Sequence, residues 1–176
     1  MDLTPIQLRV LGALIEKQMT TPDAYPLTLN ALLAACNQRT NRDPVVDFTD
    51  ATLIEAVNSL RDLELCRLTH VPGQRAVKYK QALTQRLELT PAASAVLAVL
   101  MLRGAQTPGE LRTRTGRYHP FASPAEVEST LDDLARHDPV IVRRLERRPG
   151  EKEHRWVHLL GAGGPEPAPP ELAADP

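Results

Sequence analysis

The stretch 49–80, TDATLIEAVNSLRDLELCRLTHVPGQRAVKYK, carries the reading on which the fold turns. Leu53, Val57 and Leu60 recur at helical spacing and form one apolar stripe. Beyond Glu64 the pattern changes to two alternating runs, 66–71 and 76–80, on either side of Pro72-Gly73. Alternation about a turn dipeptide is the signal of a β-hairpin. A helix that runs straight into a two-stranded ribbon is the closing part of a winged helix, a variant of the helix-turn-helix unit.

Working outward, the same order occurs twice. Leu3-Thr4-Pro5 returns as Leu89-Thr90-Pro91, and Val10, Leu11 and Leu14 return as Val96, Leu97 and Leu100. Leu60-Arg61-Asp62-Leu63 matches Leu131-Asp132-Asp133-Leu134, and Pro72-Gly73 matches Pro149-Gly150. The separation is 86 residues at the start and smaller, 71 and 77, in the later matches, so the two copies differ mainly in loop length. Helices are expected over 5–19, 29–37 and 50–64, then over 91–102, 108–115 and 124–137. Thr4-Pro5 with Gln7 makes a capping box with proline at the first helical position, and Thr90-Pro91 repeats that start. Thr107-Pro108 with Glu110 and Ser123-Pro124 with Glu126 have the same chemistry, and Gly116 is placed to end the middle helix. Val127, Leu131 and Leu134 form the second copy's core stripe, with strands at 140–145 and 154–159 about Pro149-Gly150. The expected fold is mainly α with small β-hairpins (α+β): two tandem winged-helix domains of the helix-turn-helix class. They span residues 1–84 and 85–160, and a Pro-rich tail, 161–176, has too little apolar surface to order itself.

These residues also carry a resemblance. Glu16-Lys17-Gln18-Met19-Thr20-Thr21-Pro22-Asp23-Ala24-Tyr25-Pro26, continuing through Leu27-Thr28-Leu29-Asn30-Ala31-Leu32 to Ala35-Cys36-Asn37-Gln38-Arg39-Thr40-Asn41-Arg42-Asp43-Pro44-Val45, is similar to the signature of the YceH-like family of bacterial proteins. Leu102-Arg103-Gly104-Ala105-Gln106-Thr107-Pro108-Gly109-Glu110-Leu111-Arg112 adds to it, and the likeness covers roughly residues 3–160. The resemblance implies a tandem winged-helix fold and supplies no activity. Arg39 stands where relatives often carry lysine, which keeps the charge and changes the hydrogen-bond geometry.

Composition narrows the function classes. The chain has 176 residues, 42% hydrophobic and 24% charged, as expected of a globular protein rather than a fibrous one. The longest apolar stretch, 92–102, falls well short of the roughly 20 residues that cross a bilayer, so no membrane association is expected. Met1-Asp2-Leu3-Thr4-Pro5 lacks the basic and apolar regions of a signal peptide, which makes cytoplasmic residence the expectation. Net charge is -1, so any nucleic-acid contact has to come from local patches. Aromatic residues at 3% argue against a base-stacking platform.

Neither an enzyme nor a cofactor is expected. The chain contains no Gly-rich phosphate loop, no nucleophile elbow and no HExxH. Cys36 reads as a small buried residue rather than a nucleophile. His154 and His158 share one side of the expected last strand, and a surface-lining pair is favoured over a metal site. Trp156 is expected to pack on the core, with Arg155 on the opposite face.

Charge separates the remaining hypotheses. The third helices, which a winged helix usually lays in the major groove, are acidic and expose Glu55 and Asp62, then Glu128 and Asp132. Such faces repel phosphate. The wings are basic: Arg75, Lys78 and Lys80 in the first, Arg147, Arg148 and Lys152 in the second. Arg39 and Arg42 add to them from a loop, 37–45, for which a structural role is favoured over a phosphate site. One expectation is a regulator touching double-stranded DNA through Arg39, Arg42 and the wings. The other is a protein-interaction module or homodimer using the acidic helices, and in either case the wing arginines could simply pair with neighbouring acids.

Overall fold

The computed structural model describes residues 1–161. The expected Pro-rich tail lies outside them apart from Gly161, which forms a parallel bridge with Leu3. Helix α1 (Pro5–Thr20) begins with the reciprocal capping box: the Gln7 N–H donates to Thr4 Oγ1 at 3.2 Å and the Thr4 N–H to Gln7 Oε1 at 2.9 Å. A two-residue strand, β1 (Leu27–Thr28), leads into α2 (Leu29–Cys36), and α3 (Asp50–Asp62) starts on Thr49. Strands β2 (Cys66–His70) and β3 (Val77–Gln81) form the ribbon, with β1 added on the far side of β3. In the turn between them Gly73 takes φ 81° and the Gln74 N–H donates to the Val71 carbonyl at 3.0 Å, a turn that favours glycine after proline.

A single-turn helix, α4 (Leu83–Arg86), lies across the expected boundary at 84, with Leu83 and Leu87 buried. The second half follows the order of the first: α5 (Pro91–Arg103), α6 (Pro108–Arg114), α7 (Pro124–Arg136), then β4 (Val142–Arg144) antiparallel to β5 (Trp156–His158). Gln106 pairs with Trp156 in the place that β1 takes in the first half. The fold is α+β, with helices and small antiparallel sheets. The boxes expected at Thr107 and Ser123 close on one side only. Glu110 turns instead to Arg114 and Arg155, and Glu126 accepts from the Ala122 N–H. Gly116 directly follows the Thr115 C-cap of α6, where it was expected to end the helix, although its φ is not positive.

The two halves share one core. Residues 7–16 of α1 and 93–102 of α5 are buried on every side, which makes these helices the centre of the molecule rather than its surface. They pack against each other more extensively than any other helix pair. At Gly12 the helices come close enough that a Cβ would stand 2.9 Å from Leu102 Cγ. Gly12→Val is therefore expected to cost about 1–3 kcal/mol by overpacking. Urea denaturation measures this, and an unchanged midpoint would show that α1 and α5 part without cost.

Candidate nucleic-acid interface

The register of the first ribbon decides where its charges point. Arg67 lies opposite Lys80, and Thr69 opposite Lys78. Directly opposed residues share a face, so Arg67, Lys78 and Lys80 form one row, while Leu68 and Tyr79 take the other side. Tyr79 packs on the core. Like charges set directly opposite destabilise a ribbon, so the pairing of Arg67 with Lys80 holds positive charge at a cost that an anion would relieve. Arg75 is exposed in the turn between the two strands. Among the described residues, no carboxylate forms an ion pair with Arg67, Arg75, Lys78 or Lys80.

The second ribbon splits its charges. Arg147 and Arg148 are exposed at the turn and form no ion pair among the described residues. Lys152 shares a crevice of about 240 Å³ with Arg144, Glu128 and Asp132, so one surface holds residues from both expectations. Arg155 is engaged elsewhere, 2.9 Å from Glu151 and 3.0 Å from Glu110, while Trp156 beside it is buried. Glu55 and Asp62 are exposed on α3, beside the exposed apolar residues Ile54 and Leu63.

Arg39 is exposed in its loop, but Arg42 is not a surface cation. Its side chain is 0% exposed and makes a bidentate pair with Glu16, at 2.6 and 2.8 Å. Its remaining N–H groups donate to the Ala35 and Asn41 carbonyls, so all five donors are taken. The expected role of Arg42 in phosphate contact is thus corrected to a structural one. Phosphate cannot reach a guanidinium whose every donor is spent inside the protein. The Tyr118 hydroxyl, from the second half, also donates to Glu16, at 2.7 Å. Burial alone would raise the Glu16 pKa, but the hydrogen bonds and charge of Arg42 outweigh it and hold the carboxyl below its usual value.

Several polar groups serve only the interior. Burial pushes the Cys36 thiol up to about 12 and Cys66 up to about 11, so neither is a poised nucleophile. His158 is pushed down to about 4 by burial, while His154 lies outside the strand and contacts the Leu145 carbonyl at 2.9 Å. Among the described residues no group of three or more His, Cys, Asp or Glu gathers as a metal site, and no helix is long and apolar enough to cross a membrane. Arg9 escaped the sequence reading: it is buried in α1 and donates to the Cys36 and Pro44 carbonyls. Its place amid apolar residues on α1 was the available signal.

Comparison with known proteins points to one group. Residues 3–151 match the family model described as "Protein of unknown function, DUF480". A "UPF0502 protein" of Leptothrix cholodnii is 50% identical over 159 residues, covering 90% of this chain and 71% of its own. One from Geotalea uraniireducens is 49% identical over 176 residues, covering 100% and 80%, and one from Opitutus terrae is 49% identical over 177 residues, covering 97% and 77%.

Proposed function

Because the chain belongs to the DUF480 family, whose description names no activity, its role has to be argued from its own surface, and we propose that it is a non-enzymatic tandem winged-helix protein that associates with double-stranded DNA through its basic wings. The observation that carries this reading is the unneutralised row of Arg67, Lys78 and Lys80, with Arg75 exposed in the adjoining turn and Arg147 and Arg148 at the second tip. Had these cations been spent on the acids of α3 and α7, nothing would remain for phosphate. The acidic helix faces then act as a steering feature: they keep α3 and α7 out of the groove and leave the ribbons to touch the backbone. Phosphate contacts position a protein without reading bases, so binding is expected to be weakly sequence-dependent.

The test is a fluorescent random-sequence duplex titrated across salt concentrations. Binding is expected to fall steeply with salt, by roughly 0.9 in the log–log slope for each phosphate neutralised. Arg147→Glu with Arg148→Glu should weaken it and reduce the slope by about 2. An unchanged slope removes the second wing from the contact, and no binding at low salt removes the proposal. A second reading, docking of a basic protein partner or a second copy on α3, is favoured by Ile54 and Leu63, 43% and 45% exposed between acids. Absence of DNA binding would leave that reading in front.

A further inference from the structure

We propose that the cleft between the two halves of the chain binds a small phosphorylated organic ligand. The cleft has a volume of about 670 Å³, within the range of about 300–1,000 Å³ of small-molecule sites. Lys17 reaches it from α1, and Arg103, Arg114 and Arg117 from the second half. The lone carboxylate in its lining, Glu16, is already taken up by Arg42 and Tyr118. Four cations therefore line the cleft, of which Lys17 and Arg114 are ion-paired with Glu16 and Glu110 while Arg103 and Arg117 are not.

The engagements of those cations leave room for a ligand. Arg103 donates to a neutral acceptor, Asn41 Oδ1, at 2.8 Å, and Arg117 is exposed with no ion pair among the described residues. Lys17 is 3.1 Å from Glu16 and 3.0 Å from Gln38 Oε1, while Arg114 contacts Glu110 at 2.9 Å. Partial burial and the neighbouring charge of Arg114 hold the Arg103 pKa below its usual value, as expected where positive charge is in local excess. Guanidinium forks match phosphate oxygens, and several of them suit a dianion better than a single carboxylate. Val99 and Leu102 behind the cleft are only 2% and 1% exposed, so the room for an organic moiety comes from the volume, which is far more than inorganic phosphate would fill.

The walls are held in place by bonds between the halves. Besides Tyr118 to Glu16, the Asp43 N–H donates to the Leu102 carbonyl at 2.9 Å, so the loop before α3 closes the end of α5. None of the ribbon cations lines the cleft, and the proposal is independent of DNA association.

The experiment follows thermal unfolding and calorimetric binding of the full chain with glucose 6-phosphate, ADP and inorganic pyrophosphate, at ionic strength matched with sodium chloride. Glucose 6-phosphate or ADP is expected to raise Tm and bind at millimolar or tighter. Arg117→Ala, at an exposed position that leaves the fold intact, should weaken that binding about tenfold or more, and Arg103→Ala likewise. Arg147→Glu with Arg148→Glu should leave it unchanged. The proposal is overturned if neither organic phosphate binds, if pyrophosphate alone does, or if affinity survives loss of Arg103 and Arg117. Equal loss in the wing variant would also overturn it, by showing general charge attraction.

Discussion

Arg42→Ala is expected to lower the folding free energy by about 3–5 kcal/mol, because it strands a buried carboxylate without its partner. The Glu16 side chain is only 4% exposed, and besides Arg42 it keeps just Tyr118 and Lys17. The same substitution strips hydrogen bonds from the Ala35 and Asn41 carbonyls. Removing both charges, as Glu16→Leu with Arg42→Met, is expected to cost less than Arg42→Ala alone, since no charge is left buried. Urea denaturation of the two single variants and the double provides the cycle. A loss below about 1 kcal/mol for Arg42→Ala would place this pair in the class of solvated surface bridges.

The same pair sets part of the response to acid. Glu16 has a folded pKa below its usual 4.5, so its contribution is fully present above 4.5 and is lost as pH falls through the lowered value. The stability gap between the natural chain and Glu16→Gln should therefore narrow below pH 4.5. His158 acts at higher pH. Its neutral form is the buried one, with its pKa moved from 6.5 to about 4, so stability is complete above 6.5 and declines as pH falls toward 4. His158→Asn should flatten that upper decline, and an identical pH profile would count against burial as the cause.

Trp156→Ala is expected to cost about 3–5 kcal/mol, the range for removing a large aromatic from a core. The side chain is 7% exposed, and its backbone exchanges two hydrogen bonds with Gln106, at 2.8 and 3.0 Å. It is the chain's single tryptophan, so its fluorescence reports its surroundings without ambiguity. A blue-shifted emission unchanged by added duplex is expected, together with full DNA affinity in Trp156→Phe. Quenching by DNA, or loss of affinity in that variant, would instead assign Trp156 to the contact surface.

The architecture was legible because its signals are local. Each expected helix begins where its threonine or serine cap and following proline or apolar stripe place it, and ends within two residues of expectation. The hairpins follow from Pro-Gly and alternation, although β4 and β5 are shorter than their alternating runs. β1 and α4 left no such mark, since two residues show no period and a single helical turn shows scarcely one. The candidate interface was legible in its ribbons for the same reason: alternation about Pro72-Gly73 already groups Lys78 with Lys80.

What the sequence by itself determined is therefore the order of elements and the charge each surface element carries. Which charges remain available was decided by tertiary structure. Arg39 and Arg42 sit three residues apart in one loop, and nothing local distinguishes them, yet one is exposed and the other is 0% exposed against Glu16. Capping, periodicity and turns depend on neighbours three or four residues away, which the chain carries with it in any conformation. The partner of Arg42 lies 26 residues off, and Tyr118 reaches Glu16 across 102, so the first contact exists only once the loop has folded back onto α1 and the second only once the two halves have met. The cleft beside them is likewise a product of that packing, because its cations come from both halves and meet only when the helices do.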